Sequence, residues 1–362
     1  MHFQYLLDSA YKNGLTLNPR LERKCVDGVC GMYATGTIQS GESLASFPHS
    51  NLIKVDDRLY PQDTSNSARL IHSAAKEYVK GTASDFHYVF SVFDSLEEIK
   101  SYSSYFADEE DLSRFKKLGQ GLYREIQSQN EKNKRLIQAL YEFDPSVDPD
   151  IYAMVTLNFG SRAMGVNGFV PVVDCFNHSD EKGANIDSRG ETVSLSAKVD
   201  YQAGEQVYTT YGTLDLLTHG INYNYFDSQN IHFIQLEKRF RFTAKTEKEV
   251  EMLKQLASRF RLSIQPFAHG YIYSFQEREA YFSETQPSSQ IIEIARSMAE
   301  HSPFKLSPKE ILLGFLKQLD SENTVESCSK KLLPKRYGRF YRLLKKEKQM
   351  IRENLNWVTQ NM

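Results

Sequence analysis

Residues 171–212 constrain the fold of this chain most; they open on PVVDCFNHSD and close on GEQVYTTYG. Asp174, Asn177 and His178 place three polar side chains in a tight connection directly after an apolar run. Short polar residues in such a place supply partners to backbone groups that a turn leaves unpaired. Between the two ends, Val193-Ser194-Leu195-Ser196-Ala197 alternates and reads as a strand with one buried face. Tyr211-Gly212 then sets a phenol where the backbone must turn.

A repeat ties this stretch to the start of the chain. Ala34-Thr35-Gly36-Thr37-Ile38-Gln39-Ser40-Gly41-Glu42 and Ala197-Lys198-Val199-Asp200-Tyr201-Gln202-Ala203-Gly204-Glu205 carry alanine, glycine and glutamate in step. Each Gly-Glu is expected to turn one short strand into the next, glycine supplying the permissive backbone geometry. Cys25 to Ile53 reads as strand and turn, closed by Pro48.

The Asn177-His178-Ser179 segment followed by Tyr211-Gly212 resembles the SET-domain protein methyltransferases, which carry the Gly-Glu turn at both ends of their fold. Neighbouring residues resemble one branch, that of the Rubisco large-subunit methyltransferase and the actin-histidine methyltransferase. Ser161-Arg162 matches the S-R of that branch. Ser84-Asp85-Phe86-His87-Tyr88-Val89 is similar to its S-x-W-x-P-Y segment, with Phe for Trp and His for Pro. The resemblance covers most of the first 235 residues and fades afterwards. It implies an α+β fold: a β-rich core from about 15–60 and 160–235 with pseudoknot-like threading, a helical insert over about 61–160, and an all-α C-terminal lobe. Residues 1–235 would form the SET domain and 236–362 a lobe that binds the protein substrate.

The same resemblance implies S-adenosyl-L-methionine as cofactor and transfer of its methyl group to a side-chain nitrogen of a protein. Lysine is the favoured acceptor; a histidine acceptor and an inactive, SET-derived binding module are the alternatives. Cofactor contacts fall on Val29, Cys30 and Gly31 through their backbone, and on Arg162, Asp174, Asn177, His178 and Tyr211. A guanidinium at Arg162 can clasp a carboxylate through two charge-assisted hydrogen bonds. Tyr211 is the catalytic candidate. Methyl transfer is an in-line displacement, so a phenol beside that line can orient the acceptor, and its oxygen can receive polarised C–H groups. No metal is implied.

This sequence departs from the branch at two places. Val29-Cys30-Gly31 stands where a G-x-G turn is usual, one glycine being absent or displaced to Gly28. After Gly212 the connection is shorter, and His219 falls where tyrosine is common. Competing chemistries fail on spacing. Cys175 and His178 lie three apart in a turn and need not face each other as thiol and base. The nine histidines offer no H-x-x-x-H pair for zinc.

Composition sets outer bounds. A formal charge of −2 over 362 residues gives no electrostatic pull toward nucleic acid or an anionic membrane. No apolar run approaches the roughly 20 residues that span a bilayer. MHFQYLLDSAYKNG lacks the basic and apolar regions of a signal peptide, and its Leu6, Leu7 and Tyr11 suit an amphipathic helix. Cys25, Cys30, Cys175 and Cys328 form no C-x-x-C pair, so neither a disulfide framework nor a zinc cluster is expected. That pattern fits a reducing, cytoplasmic compartment, with the nucleus as alternative, and a monomer.

The remaining chain reads as helical. Apolar residues from Ala68 to Val79 recur at helical spacing, and Asp108-Glu109-Glu110-Asp111 suits a helix start. Asp148-Pro149 predicts another helix, running to about Arg162. Residues 166–235 read as strand and loop, and the chain beyond Phe240 as helix. Thr246-x-x-Glu249 and Ser307-x-x-Glu310 fit capping boxes, with Leu306 placed to staple onto Ile311. A last helix near 336–359 carries an apolar stripe from Tyr341 to Val358. The basic run from Lys330 to Lys348 reads as the solvated face of that helix.

Overall fold

The computed structural model describes residues 2–26, 29–179, 181–212, 215–223, 231–267, 269–301 and 305–362. It divides into two compact units, Met1–Ser103 with Gln129–Gly212 and Ser104–Ser128 with Thr213–Met362.

The first unit holds two four-stranded sheets. Its strands are β1 (Thr16–Leu17), β2 (Leu21–Val26), β3 (Val29–Ala34), β4 (Ser43–Pro48), β5 (Asn177–His178), β6 (Asn185–Asp187), β7 (Thr192–Ser196) and β8 (Gln206–Thr209). One sheet has the order β1-β4-β7-β6, and the other β2-β3-β8-β5. Alternation in β7 does what the sequence predicts: Val193 and Leu195 are buried, while the polar residues between them are not. In β4, Leu44 and Ala45 are both buried although adjacent, because the register against β7 shifts between Ser43 and Ala45. Such a bulge turns two successive side chains inward. Pro48 ends β4 as expected.

The two Gly-Glu repeats lie against each other. Ile38 and Tyr201 exchange backbone hydrogen bonds of 2.9 and 2.8 Å. The Gly41 N–H donates to the Ala197 carbonyl and, in mirror fashion, the Gly204 N–H donates to the Ala34 carbonyl. Gly41 and Gly204 have φ of 84° and 89°, which favours glycine. Glu42 accepts from the Gln39 N–H and Glu205 from the Gln202 N–H. The sequence repeat is therefore a structural pair.

One cysteine expectation is corrected. Cys25 and Cys30 face each other in the antiparallel register of β2 and β3 and form a disulfide. A hairpin that turns within two residues makes a C-x-x-x-x-C spacing a directly opposed pair, a geometry the scatter of cysteines concealed. Gly28, the displaced glycine of the motif, lies outside the described residues.

Helix α1 (His2–Lys12) buries Leu6 and leaves Tyr11 exposed. The insert follows as α2 (Asn66–Val79), α3 (His87–Phe90), α4 (Leu96–Tyr102), α5 (Glu109–Leu118), α6 (Gln120–Phe143) and α7 (Pro149–Arg162). α5 and the first turns of α6 belong to the second unit. Asp108 and Asp148 cap α5 and α7, and Arg162 ends α7 as predicted. In the first unit His72 is buried between the Tyr60 hydroxyl, 2.7 Å from Nδ1, and Asp144, 3.1 Å from Nε2. This contact pins α2 to the chain after α6.

The second unit corrects two expectations. Residues 166–235 contain a helix, α8 (Leu216–Asn222), capped by Asp215 through the N–H groups of Leu217 and Thr218. The expected all-α lobe also contains sheets. After β9 (Ile234–Gln235) and α9 (Leu236–Arg239), strands β10 (Phe242–Ala244), β11 (Leu262–Phe267) and β12 (Gly270–Phe275) form an antiparallel sheet ordered β10-β12-β11. β13 (Tyr281–Phe282) pairs with β9. Tyr273 and Phe275 supply the buried face of β12. Helices α10 (Glu247–Ala257), α11 (Ser289–His301), α12 (Pro308–Glu322) and α13 (Gly338–Asn361) make up the rest. Both predicted capping boxes are formed, at Thr246 and Ser307, although Leu306 stays largely exposed and staples little.

The basic run is not wholly solvated. Lys348 is buried and donates to the carbonyls of Asp320 and Asn323, and Arg339 is buried with Nε on the Gly220 carbonyl. Their hydrogen bonds replace the water that a buried charge would lose. Arg239 likewise sits between Asp215 and Glu347, each at 2.8 Å.

Candidate functional site

β8 organises the site. β3 flanks it antiparallel, with Met32 opposite Val207 and Tyr33 opposite Gln206. β5 lies parallel on the other side, Asn177 opposite Tyr208 and His178 opposite Thr209. The chain after β5 stays on the same edge. Ser179 donates to the Thr209 carbonyl and Ala184 to that of Tyr208. Gly183 fits there because a Cβ would run into the carbonyls of Ser179 and Thr209. A short polar strand and a glycine thus let the 177–184 segment close around the end of β8.

Tyr211 is held at that end by His178 and Phe176. Its backbone N–H donates to His178 Nδ1 at 3.1 Å, its ring stacks on the His178 imidazole at 5.1 Å and 19°, and its hydroxyl donates to the Phe176 carbonyl at 3.1 Å. Since Nδ1 accepts, the ring proton of His178 sits on Nε2. Gly212 follows with φ of 85°, a backbone conformation that favours glycine.

On the hairpin side a missing side chain lets two amides close over β3. At Gly31 a Cβ would collide with Gln206 Nε2 and lie 2.8 Å from Asn177 Nδ2. Asn177 Nδ2 donates to the Cys30 carbonyl at 3.0 Å. Gln206 Nε2 and Thr209 Oγ1 are buried without a hydrogen-bond partner among the described residues. Sequence reasoning missed Gln206; its signal is positional, a polar residue alternating with the buried Val207 and Thr209 on β8.

Arg162 and Asp174 form a separate cluster. Arg162 Nη1 is 3.3 Å from Asp174 and Nη2 3.7 Å from Asp94, while its buried Nε has no hydrogen-bond partner among the described residues. Burial pushes the Asp174 carboxyl up from its ordinary range, and Arg162 opposes that shift. Burial pulls on the guanidinium in the other direction, and the two aspartates more than offset it, so Arg162 stays firmly charged. Asp94 is a residue that no sequence signal marked. Cys175 donates to Asp174, and burial raises its thiol well above the usual value. A thiol so placed is no nucleophile.

The structure therefore brings Cys30, Gly31, Asn177, His178 and Tyr211 into one layer and sets Arg162 with Asp174 at the turn leading into β5. Val29 begins β3. His219 is buried in the second unit with its ring against Tyr223 and His232.

Solved structures share this fold. Rubisco LSMT bound to sinefungin and monomethyllysine is 15% identical, over 99% of this chain and 92% of its own, with a TM-score of 0.66. The SET domain of LSMT bound to MeLysine and AdoHcy, at 16% identity, covers 99% and 92% with a TM-score of 0.65. Rubisco LSMT bound to AdoMet gives the same figures, 16%, 99%, 92% and 0.65. No curated protein sequence matches the chain. The SET domain family model matches residues 29–212, just over half of the 362 and all of the β3–β8–β5 layer. The chain belongs to the SET domain family.

Proposed function

We propose that this protein is an S-adenosyl-L-methionine-dependent protein N-methyltransferase that acts on lysine. The observation that carries the reading is the meeting of Asn177, His178 and Tyr211 at one end of β8, beside the side-chain-free Gly31, within the SET segment. Solved proteins of this fold are bound to AdoMet, to AdoHcy and to monomethyllysine, which supports the choice of cofactor and acceptor.

The residues present fit such a cofactor. The missing Cβ at Gly31 lets the Asn177 and Gln206 amides approach β3, and buried donors on Gln206 and Arg162 have no hydrogen-bond partner among the described residues. The backbone of Val29, Cys30 and Gly31 would line one wall, and Asn177 with the His178 backbone the other. Arg162, with Asp174 beside it, would take the carboxylate of the cofactor's methionyl end. When bound, S-adenosylmethionine supplies an electrophilic methyl group on a sulfonium.

Everything else falls to the chain. The Tyr211 oxygen and the Phe176 carbonyl, 3.1 Å apart, offer two acceptors for polarised C–H groups and for the acceptor amine. Their fixed placement by His178 aligns the nitrogen for in-line attack. A lysine must arrive neutral, and desolvation on entry lowers its pKa. We assign recruitment of the protein substrate to the second unit.

Methyl-labelled S-adenosylmethionine incubated with the protein and fractionated lysate tests the reading, with mass spectrometry on the labelled band. Label on lysine is expected. Label on histidine contradicts the acceptor assignment, and absence of label from every fraction contradicts the transferase assignment.

A further inference from the structure

Methyl transfer as described above makes no use of the Cys25–Cys30 disulfide, yet the bridge joins the strand that lines the site. Cys30 is half of that bridge and, through its carbonyl, the acceptor of Asn177 Nδ2 at 3.0 Å. The register of β3 with β8 holds Met32 and Tyr33 and does not reach Cys30. On that side Cys30 meets the Asn177 amide. On the other it faces Cys25 of β2, opposite in register and covalently joined. The start of β3 is therefore tethered by the hairpin on one side and by a side-chain amide on the other.

The bridge is open to solvent. Cys25 is exposed, as is β2 from Glu22 to Val26, and Cys30 is half-buried. Exposed disulfides are the labile ones, open to attack by a thiolate. The two cysteines are five apart in sequence, so the bridge closes a short loop. Short loops gain least from closure, and opening this one acts locally, at the start of β3, more than on the whole fold.

We propose that Cys25–Cys30 is a redox-modification site whose state sets how tightly the β3–β8–β5 layer holds its cofactor. A small-molecule thiol, as thiolate, attacks the exposed Cys25 Sγ, forms a mixed disulfide there and displaces Cys30 as thiolate. A second thiol then frees Cys25. In sum the bridge takes up two electrons and two protons and becomes two cysteine thiols, while two small-molecule thiols become one disulfide. A small-molecule disulfide reverses the exchange. In the reduced protein the Cys30 carbonyl loses its covalent tether, and the acceptor of the Asn177 amide must be ordered when the cofactor binds. The coupling to the cofactor rests on the function proposed above; the thiol exchange does not.

The test equilibrates the full chain with reduced or with oxidised glutathione and divides each sample. One half is denatured, alkylated and weighed by mass spectrometry. Alkylation is expected at Cys175 and Cys328 after the oxidised buffer and at Cys25 and Cys30 as well after the reduced one. The other half is desalted and titrated with S-adenosylmethionine, and the oxidised protein should bind about threefold tighter or more. A variant with Cys25→Ser and Cys30→Ser should bind equally after both buffers. A bridge that never forms or that reduced glutathione leaves closed, equal affinity in the two wild-type states, or a difference that persists in the variant would each overturn the proposal while leaving the proposed function standing. A wild type that binds S-adenosylmethionine in neither state would overturn the proposed function and the coupling together.

Discussion

Tyr211 shows how much of a site one residue can carry and how it was legible. A tyrosine before glycine, with Asn-His upstream, marks the position by residue type alone. Its contacts to His178 Nδ1, the His178 ring and the Phe176 carbonyl come from the parallel pairing of β5 with β8, which the sequence suggests only through its short polar residues. Tyr211→Phe keeps the ring stack and removes the hydroxyl. The rate of methyl transfer should fall at least tenfold, about 1.4 kcal/mol of barrier, while cofactor affinity stays within a few-fold. Single-turnover transfer and calorimetry on one preparation separate the two, and unchanged transfer removes Tyr211 from catalysis. Other residues were silent for physical reasons. Gln206 matters because of an atom that is missing across the strand, at Gly31. Asp94, 3.7 Å from Arg162, lies far upstream and left no local trace in the sequence. Cys25 and Cys30 read as unpaired thiols because only the hairpin register opposes them.

At the scale of elements, starts were more legible than types. Asp108, Asp148, Thr246 and Ser307 all cap helices where expected, since a cap is a local bond between a side chain and the next turn. The β10-β12-β11 sheet was missed because its strands satisfy each other over long spacings, and few residues, Ala244 of β10 with Tyr273 and Phe275 of β12, are buried among those described. Long-range pairing leaves a weak local trace. The insert offers a test of an element's anchoring. Asp144 receives the Ser146 hydroxyl, Lys76 and His72, and the Ser146 hydroxyl first, then Lys76, the Ser146 N–H and His72, hold its carboxyl below its ordinary value of 3.8 against the opposing effect of burial. A depressed folded-state pKa gives stability that is present above the unfolded value and lost as pH falls through the folded one. Asp144→Asn should therefore cost about 1–3 kcal/mol at pH 7, with the gap to wild type narrowing below about pH 4. Denaturant unfolding across that range checks it; a gap independent of pH would mean that the carboxylate charge contributes nothing.

Across the whole molecule, the chain order and the units do not coincide. The second compact unit takes in 104–128 and begins again at 213. Phe115, Leu118, Leu122 and Ile126 are buried in its core, and the Phe115 ring packs on Tyr337 and Phe340 at 4.9 and 5.4 Å. A fragment of residues 213–362 lacks these side chains and exposes the apolar surface they cover. It should unfold without a single cooperative thermal transition, whereas the full chain keeps one; a cooperative fragment would show that α5 is dispensable to that core. The two Gly-Glu turns, by contrast, let the paired repeat of the first unit be read directly from sequence. S-adenosylmethionine is expected to bind on the β3–β8–β5 layer of the SET segment. Calorimetric titration of S-adenosylmethionine into the wild type and Asn177→Ala should show one saturable site per chain, weakened about tenfold or more by the substitution; absence of binding to the wild type, or equal affinity in both, would place the cofactor off this layer.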